Sequence, residues 1–358
     1  MTVSADRASA RFFKILVRRL TSSQQAGLLF VILGLGLLLG ALAGTHIDRV
    51  SGREVNSFLN SYTLIQTATD ASFMAIMAVG ATVVIISGGI DLSVGSIYAL
   101  AGTTMALILR AEPAGGSGSA LLGLAICLGV GLSCGILNGA LVVGLKVHPF
   151  IVTLGAMWVL RGVAFVTTKA ESILVPDALT RIAKAQLGLA ASLYPVPMLL
   201  MFAVTLVGAV YLGRTVMGRH IFAVGGNAEA ARYAGLRLAR IRIGVYLISG
   251  LTAGLAAFIG AGFYGSVSCS DATGYELYVI ASAVVGGASL SGGKGSAISA
   301  MLGALLIVLI RQSIRTLHFD QNFEWIIIGS AIIFAVVIDQ ASARLSSRRL
   351  AKEAEEER

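Results

Sequence analysis

Charge is what this chain most lacks. Only 13% of its 358 residues are Asp, Glu, Lys or Arg, against about 25% in an ordinary soluble domain. With 56% hydrophobic residues and a mean hydropathy of +0.86, too few polar side chains remain to coat a water-facing surface of this size. Lipid is the solvent that resolves the deficit. Proline is also rare, at 5 residues, whereas glycine reaches 43. Little proline excludes a collagen-like repeat, and abundant glycine suits membrane helices whose backbones approach closely. Three cysteines are too few for a disulfide framework; Cys127 and Cys134, in one apolar run, read as small buried hydrophobes. The four histidines, His46, His148, His220 and His318, fall at span ends or in loops. They offer no metal cluster and no nucleophile–base pair at depth, which argues against an intramembrane enzyme, and no cofactor is implied.

What charge there is sits in blocks. The net charge is +9, and basic residues crowd Arg7–Arg19, Arg214–Arg242 and Arg344–Arg358. These blocks flank apolar spans and carry no interleaved aromatic platform, so nucleic acid is not the expected partner. About 20 apolar residues cross the hydrocarbon core as a helix. By that criterion the chain is an all-α polytopic membrane protein with ten expected spans: Ala26–Gly44, Ala71–Ile86, Leu92–Leu109, Ala120–Gly144, Pro149–Thr167, Val196–Leu212, Ile243–Gly262, Leu277–Ala288, Ala297–Ile310 and Trp325–Ile338. The first is longer than the apolar stretch of a cleaved signal peptide and reads as a retained anchor.

Positive charge marks the cytoplasmic side. The tail over 1–25 and the loop over 213–242, which holds six arginines against Glu229 alone, both qualify. Six expected spans separate them and four precede the charged tail over 341–358, so the even counts agree with three cytoplasmic segments. The transmembrane domain then covers 26–340. Its main outer loop, 168–195, reads equally as a solvated loop or as a docking surface for an external partner.

An internal echo stands out. Gly88-Gly89-Ile90-Asp91-Leu92-Ser93-Val94-Gly95 and Gly286-Gly287-Ala288-Ser289-Leu290-Ser291-Gly292-Gly293 share the pattern G-G-x-x-L-S-x-G. Each follows one short apolar run and precedes another, which favours two pseudo-repeated halves with broken or short helices. Paired glycines interrupt a membrane helix, and Asp91 or Ser289 then stands ready to cap the next one. Asp91, Ser93, Ser289 and Ser291 are therefore candidate residues of a solute path, although a plain helix–turn–helix cap reads equally well. Gly292-Gly293-Lys294-Gly295-Ser296 superficially suggests a phosphate loop, but position 288 is alanine and glycine follows Lys294, so G-x-x-x-x-G-K-[ST] is not met. Any ATPase must be another chain.

Among charges at depth, Asp70 and Glu276 sit at span edges, while Arg161 lies well inside its span, three residues after Trp158. Either Arg161 lies over that indole or snorkels outward, or, as a candidate of the solute path, it pairs with Asp70 or Asp91, or lines a wet cavity.

The loop over 213–242 carries the most specific signal. Asn227 is a good N-cap, Glu229 places a negative charge in a first helical turn, and Gly235 is a natural stop. A short capped helix is expected over Ala228–Ala234, small-faced enough for a partner to approach. Arg237, Arg240 and Arg242 are placed to meet lipid phosphates.

Glu229-Ala230-Ala231-x-x-x-Gly235 resembles the E-A-A-x-x-x-G core by which bacterial ABC-importer permeases engage their ATPase, without the downstream I-x-L-P of maltose-type permeases. The wider GRxxxAVGGNxxAARYAG pattern and the two G-G segments resemble the ribose/xylose/autoinducer-2 class of the branched binding-protein-dependent permease family. That resemblance spans roughly Asp70–Asp339. It implies a permease subunit, not itself an enzyme, in the bacterial inner membrane. It would work as a dimer with a second copy or a paralogue, served by a cytoplasmic ABC ATPase and an extracytoplasmic sugar-binding protein. In that reading Gly225, Gly226, Asn227, Glu229, Ala230, Ala231, Arg232 and Gly235 couple to the ATPase. The alternative is an ion-coupled secondary transporter using Asp91, which gives no reason for the docking helix.

Overall fold

A computed structural model describes residues 24–47, 52–110, 118–188 and 193–331, together with 333 and 337. Most of the N-terminal basic tail, the C-terminal tail and the end of the last expected span lie outside the described residues. The chain runs through α1 (Gln24–Leu42), a hairpin of β1 (Thr45–Ile47) and β2 (Glu54–Asn56), α2 (Ser61–Ile86), α3 (Val94–Leu109), α4 (Gly118–Leu145) and α5 (Pro149–Thr168). It continues with β3 (Ile173–Leu174), α6 (Asp177–Ala183), α7 (Val196–Arg214), α8 (Val216–Gly226), α9 (Ala228–Tyr233) and α10 (Leu238–Tyr264). Then come β4 (Ser266–Val267), antiparallel to β3, α11 (Tyr275–Val285), α12 (Ala297–Thr316) and a last helical stretch over 323–331.

Among the described residues, seven helices (α1, α2, α4, α5, α7, α10 and α12) are long and apolar enough to cross a membrane. The shorter α3 and α11, of 16 and 11 residues, reach only ~24 and ~16 Å at 1.5 Å per residue. Three expected spans prove longer than read by six residues or more, among them Ile243–Gly262, which runs over Leu238–Tyr264. Ala71–Ile86 begins at Ser61, and Ala297–Ile310 extends to Thr316. Hydropathy stops at Asp70 and at Arg311, but these charges pair inside the fold, Asp70 with Arg315 and Arg311 with Glu324, so the helices run through them.

Burial sets the architecture. The most apolar window of α2 is 94% buried, against 17% for α1 and α5 and 22% for α7. Thus α2 is the axis of the bundle, and the outer helices turn leucine, valine and phenylalanine outward, as membrane-facing helices do.

Glycine builds the tightest interface. Gly131, Gly135 and Gly139 of α4 recur at every fourth residue and so share one face. A Cβ on Gly139 would lie 2.7 Å from the Ile243 Cα of α10. One on Gly131 or Gly135 would collide with the carbonyls of Gly250 or Tyr246, and one on Gly254 with that of Cys127. The two backbones touch, as small-residue helix pairs in membranes do. Cys127 and Cys134 are buried on this helix as free thiols, and Cys269 is also buried and free.

The bundle has two distinct ends. One gathers Ile86, the turn between α4 and α5, the α8–α9 loop and the segment Gly292–Gly295. The other gathers the β3–β4 ladder and the Arg311–Glu324 pair.

The two G-G segments end their helices alike. At the end of α2, the Gly88 N–H donates to the Ile85 carbonyl and Gly89 N–H to Val84; at the end of α11, Gly287 N–H donates to Val284 and Ala288 N–H to Ala283. Gly88 and Gly287 both take left-handed φ values, +83° and +93°. This is one and the same C-terminal cap, but it pairs Gly88 with Gly287, one residue off the sequence echo. The halves then diverge. Asp91 bonds the Ser93 N–H at the head of α3. Ser289 does not cap α12, which starts eight residues later at Ala297 behind Ser296. Ser289 instead closes a turn, its N–H donating to Lys294 O (3.1 Å) and its carbonyl accepting from Gly292 N–H (2.9 Å).

Candidate functional site

The basic loop holds two helices rather than the one expected. Thr215 caps α8, its hydroxyl accepting from the Gly218 N–H at 3.0 Å. The 11-residue α8 then delivers the chain to Asn227. Asn227 caps α9, accepting from the Ala230 N–H at 2.9 Å. Gly235, at φ +82°, ends the helical stretch, with Gly235 N–H on Arg232 O and Leu236 N–H on Ala231 O. The capping residues read from the sequence thus perform the capping.

Burial divides the eight residues of the motif. Glu229, Ala230, Arg232 and Gly235 face solvent, as do Gly226 and Asn227, whereas Ala231 is only 4% exposed. Ala231 belongs to an apolar cluster with Ile86, Val142, Val224 and Tyr246, which anchors α9 from beneath. Tyr233, which the sequence reading passed over, is 90% exposed at the end of α9. A tyrosine is an efficient anchor in a protein interface, and its place on an exposed helical face was legible from its spacing to Glu229.

Gly225 is turned inward. A Cβ there would collide with the Ile86 carbonyl at the end of α2 and lie 2.7 Å from the Gly293 nitrogen. The Gly293 N–H in turn donates to that Ile86 carbonyl at 2.8 Å. A Cβ on Gly293 would lie 2.9 Å from the Gly226 Cα. Three backbones therefore meet without side chains between them: the exit of α2, the entry to α12 and the strut that carries α9. The sequence reading treated the coupling motif and the two G-G segments as separate features; they form one junction.

Behind it lies a polar knot around the first break. Asp91, 2% exposed, accepts from the Ser93 N–H at 2.9 Å, the Ser93 hydroxyl at 2.6 Å and the Ser249 hydroxyl at 2.8 Å. Asn138 Nδ2 donates to the Ser93 hydroxyl at 2.7 Å, and Tyr246 OH and Thr153 Oγ1 both donate to the Ile90 carbonyl at 3.2 Å. Helices α4, α5 and α10 are thereby tied to one interrupted segment. Removing the carboxyl as Asp91→Ala should lower stability by roughly 2–3 kcal/mol, since three buried donors lose their acceptor. Asp91→Asn keeps the shape and two acceptor sites and should cost far less; thermal unfolding of the purified variants checks the order.

The remaining path candidates scatter. Ser289 is buried in the second break and Ser291 is exposed at its tip. Arg161 lies apart from both: its Nη1 donates to the Cys269 and Asp271 carbonyls, each at 2.7 Å, and holds the turn before α11. Trp158 is 69% exposed on the outer face of α5. Asp70 faces Arg315 rather than Arg161. Beneath α9 opens a cavity of about 670 Å³ lined by Lys146, His148, Arg232 and Arg242 beside Gly88 and Gly89, with no acidic residue on its wall among the described residues.

Seven membrane-capable helices packed around two interrupted segments, with an exposed, capped helix on a basic loop, define a class: a polytopic membrane protein. The comparisons agree. Residues 63–336 match the family described as branched-chain amino acid transport system / permease component, and the chain belongs to that family. It is 36% identical over 284 residues to the ribose import permease protein RbsC of Escherichia coli (strain K12), covering 79% of this chain and 87% of that one. It is 33% identical over 285 residues to the D-allose transport system permease protein AlsC of the same strain, covering 79% and 85%. It is 31% identical over 332 residues to the L-arabinose ABC transporter permease protein AraH of Azospirillum brasilense, covering 92% and 90%. No solved structure matches the chain.

Proposed function

We propose that the chain is the membrane-spanning subunit of an ATP-binding-cassette importer that carries a monosaccharide-like solute into the cytoplasm, driven by ATP hydrolysis in a separate subunit. The observation that carries this reading is the outward-facing α9, whose inner side is joined through Gly225 to both helix breaks. A secondary transporter has no use for such a handle. The names of the relatives, permease proteins for ribose import, D-allose transport and L-arabinose ABC transport, support the solute class.

In this reading the chain crosses the inner membrane ten times with both termini in the cytoplasm. Its loop over 213–242 docks the ATPase, the segment over 168–195 faces a sugar-binding protein, and a second permease copy completes the pathway. Glu229, Ala230, Arg232 and Tyr233 contact the ATPase, whereas Gly225 and Ala231 act from within by holding α9 against the bundle. Asp91 is a structural acceptor here, its two oxygens taken by neutral serine and backbone donors. An ion-coupled carrier would need that carboxylate to exchange its charge with the solution.

Excision of residues 229–235 tests the proposal. The shortened chain should still reach the membrane, since every apolar span remains. The ATPase should no longer co-purify with it, and uptake in reconstituted vesicles should fall to background. Undiminished ATP-driven uptake by the inserted, shortened chain would refute the docking role.

A further inference from the structure

At the end of the bundle away from α9, a second cleft opens between α2, α10, α11 and α12. It has a volume of about 290 Å³ and is lined by Gln66, Asp70, Tyr264, Tyr275, Gln312 and Arg315, with Arg311 beside them. From Asp70 to Ile86 the axis helix α2 runs 16 residues, so the cleft lies ~24 Å from the Gly225 junction. Of its residues the sequence reading weighed only Asp70, as a charge at a span edge and a possible partner of Arg161.

The chemistry of this wall is specific. The Gln66 amide donates to Asp70 Oδ1 at 2.9 Å, and Arg315 Nη1 stands 3.9 Å from Asp70 Oδ2. The Gln312 amide reaches Thr316 Oγ1 at 3.2 Å, and Arg311 Nε holds Glu324 at 2.8 Å. These are planar groups, each with donors or acceptors left after its internal bond. They match vicinal hydroxyls, every one of which both donates and accepts. Tyr264 and Tyr275 add rings against which the C–H face of a sugar can lie while their hydroxyls stay polar.

Charge and polarity narrow the ligand further. Asp70 and Glu324 offset Arg315 and Arg311, so the cleft selects for neither anions nor cations. Among the described residues Val308 is the one aliphatic side chain on its wall, so a leucine or valine ligand would leave its side chain against polar groups, at a desolvation cost to the wall.

Resting on the transport reading for its biological sense, we propose that this cleft is a receiving site for a neutral monosaccharide, held by Gln66, Asp70, Gln312 and Arg315 against Tyr264 and Tyr275. It takes a sugar in preference to a branched-chain amino acid. Affinity is modest, as suits a way-station, because most of the polar groups are already half engaged with one another.

The chain itself supplies a reporter. It has two tryptophans, and Trp325 packs on Tyr278 at 6.1 Å between ring centroids. Tyr278 OH bonds Glu324 at 2.9 Å, the same carboxylate that holds Arg311. With Trp158→Phe as background, the protein in lipid nanodiscs, free of partners, is titrated with D-ribose, L-arabinose, D-allose, D-fructose and L-leucine. Trp325 emission is followed alongside equilibrium dialysis of the radiolabelled compounds.

The expected result is saturable binding of at least one sugar and none of leucine. Gln312→Ala and Gln66→Ala should each weaken sugar binding by roughly tenfold while the protein elutes and melts as before. The site is overturned if no sugar binds saturably in dialysis, if leucine binds as well as the sugars, or if both variants bind sugar unchanged. ATP-driven sugar uptake with the assembled transporter is measured separately. Uptake without binding here removes the site and leaves the transport reading standing; binding here without uptake does the reverse.

Discussion

Placing valine at Gly250 should abolish the stable fold, whereas valine at Gly129 should leave it intact. Both glycines lie in long apolar helices, and a hydropathy profile would score either change as favourable. The difference is what stands opposite. A Cβ at Gly250 would collide with the Gly131 carbonyl and lie 3.0 Å from the Gly135 nitrogen, while one at Gly129 would meet nothing within 4 Å. The obstacle is backbone on a facing helix, which cannot step aside as a flexible side chain does. Accommodating the valine means moving α4 from α10, and Gly131, Gly135 and Gly139 all depend on that approach. Overpacking costs about 1–3 kcal/mol where neighbours yield; here a whole contact row separates, so the loss should reach at least the upper figure. Purified Gly250→Val should elute as aggregate or melt well below the parent, and Gly129→Val should match it. Equal melting of the two variants would show that the helices are not in backbone contact.

Much of this molecule could be read before its shape was known, for a physical reason. Bilayer thickness converts hydropathy directly into helices, so α4, α5 and α7 fall within two residues of their expected bounds. Caps are local too: Asn227 and Gly235 sit in the segment whose ends they satisfy. What escaped was whatever depends on a distant partner. Asp70 and Arg315 look like span boundaries until the fold brings them together. Thr215 begins a helix that a basic loop gave little cause to expect. Ser289 shares a motif with the first break yet serves a turn, because five extra residues before α12 carry the helix start out of its reach. The adjacent Gly225 and Gly226, one packed against backbone and one facing open space, are identical letters in sequence and differ only in what they face.

That pair provides the sharpest test of how force would pass from a motor to the solute path. Gly225→Ala should reduce ATP-driven uptake by roughly tenfold or more, within the 5–150-fold range typical of coupling between distant sites. Gly226→Ala should behave as the parent. The added methyl at 225 points at the Ile86 carbonyl and at Gly293, whereas at 226 nothing lies within 4 Å. Relief requires α8 to lift from the bundle, opening the place where the Gly293 N–H meets Ile86. Helix α9 itself should survive, because its cap uses Asn227 and Ala230 and its outer residues are untouched. Gly225→Ala should therefore retain the ATPase on purification and lose the transmission of its movement, the opposite of the 229–235 excision, which loses both. Since the contact is backbone on backbone, no larger residue at 225 should restore uptake. Normal uptake by Gly225→Ala would mean that α9 acts on the breaks by another route, through Ala231 and the apolar cluster beneath it.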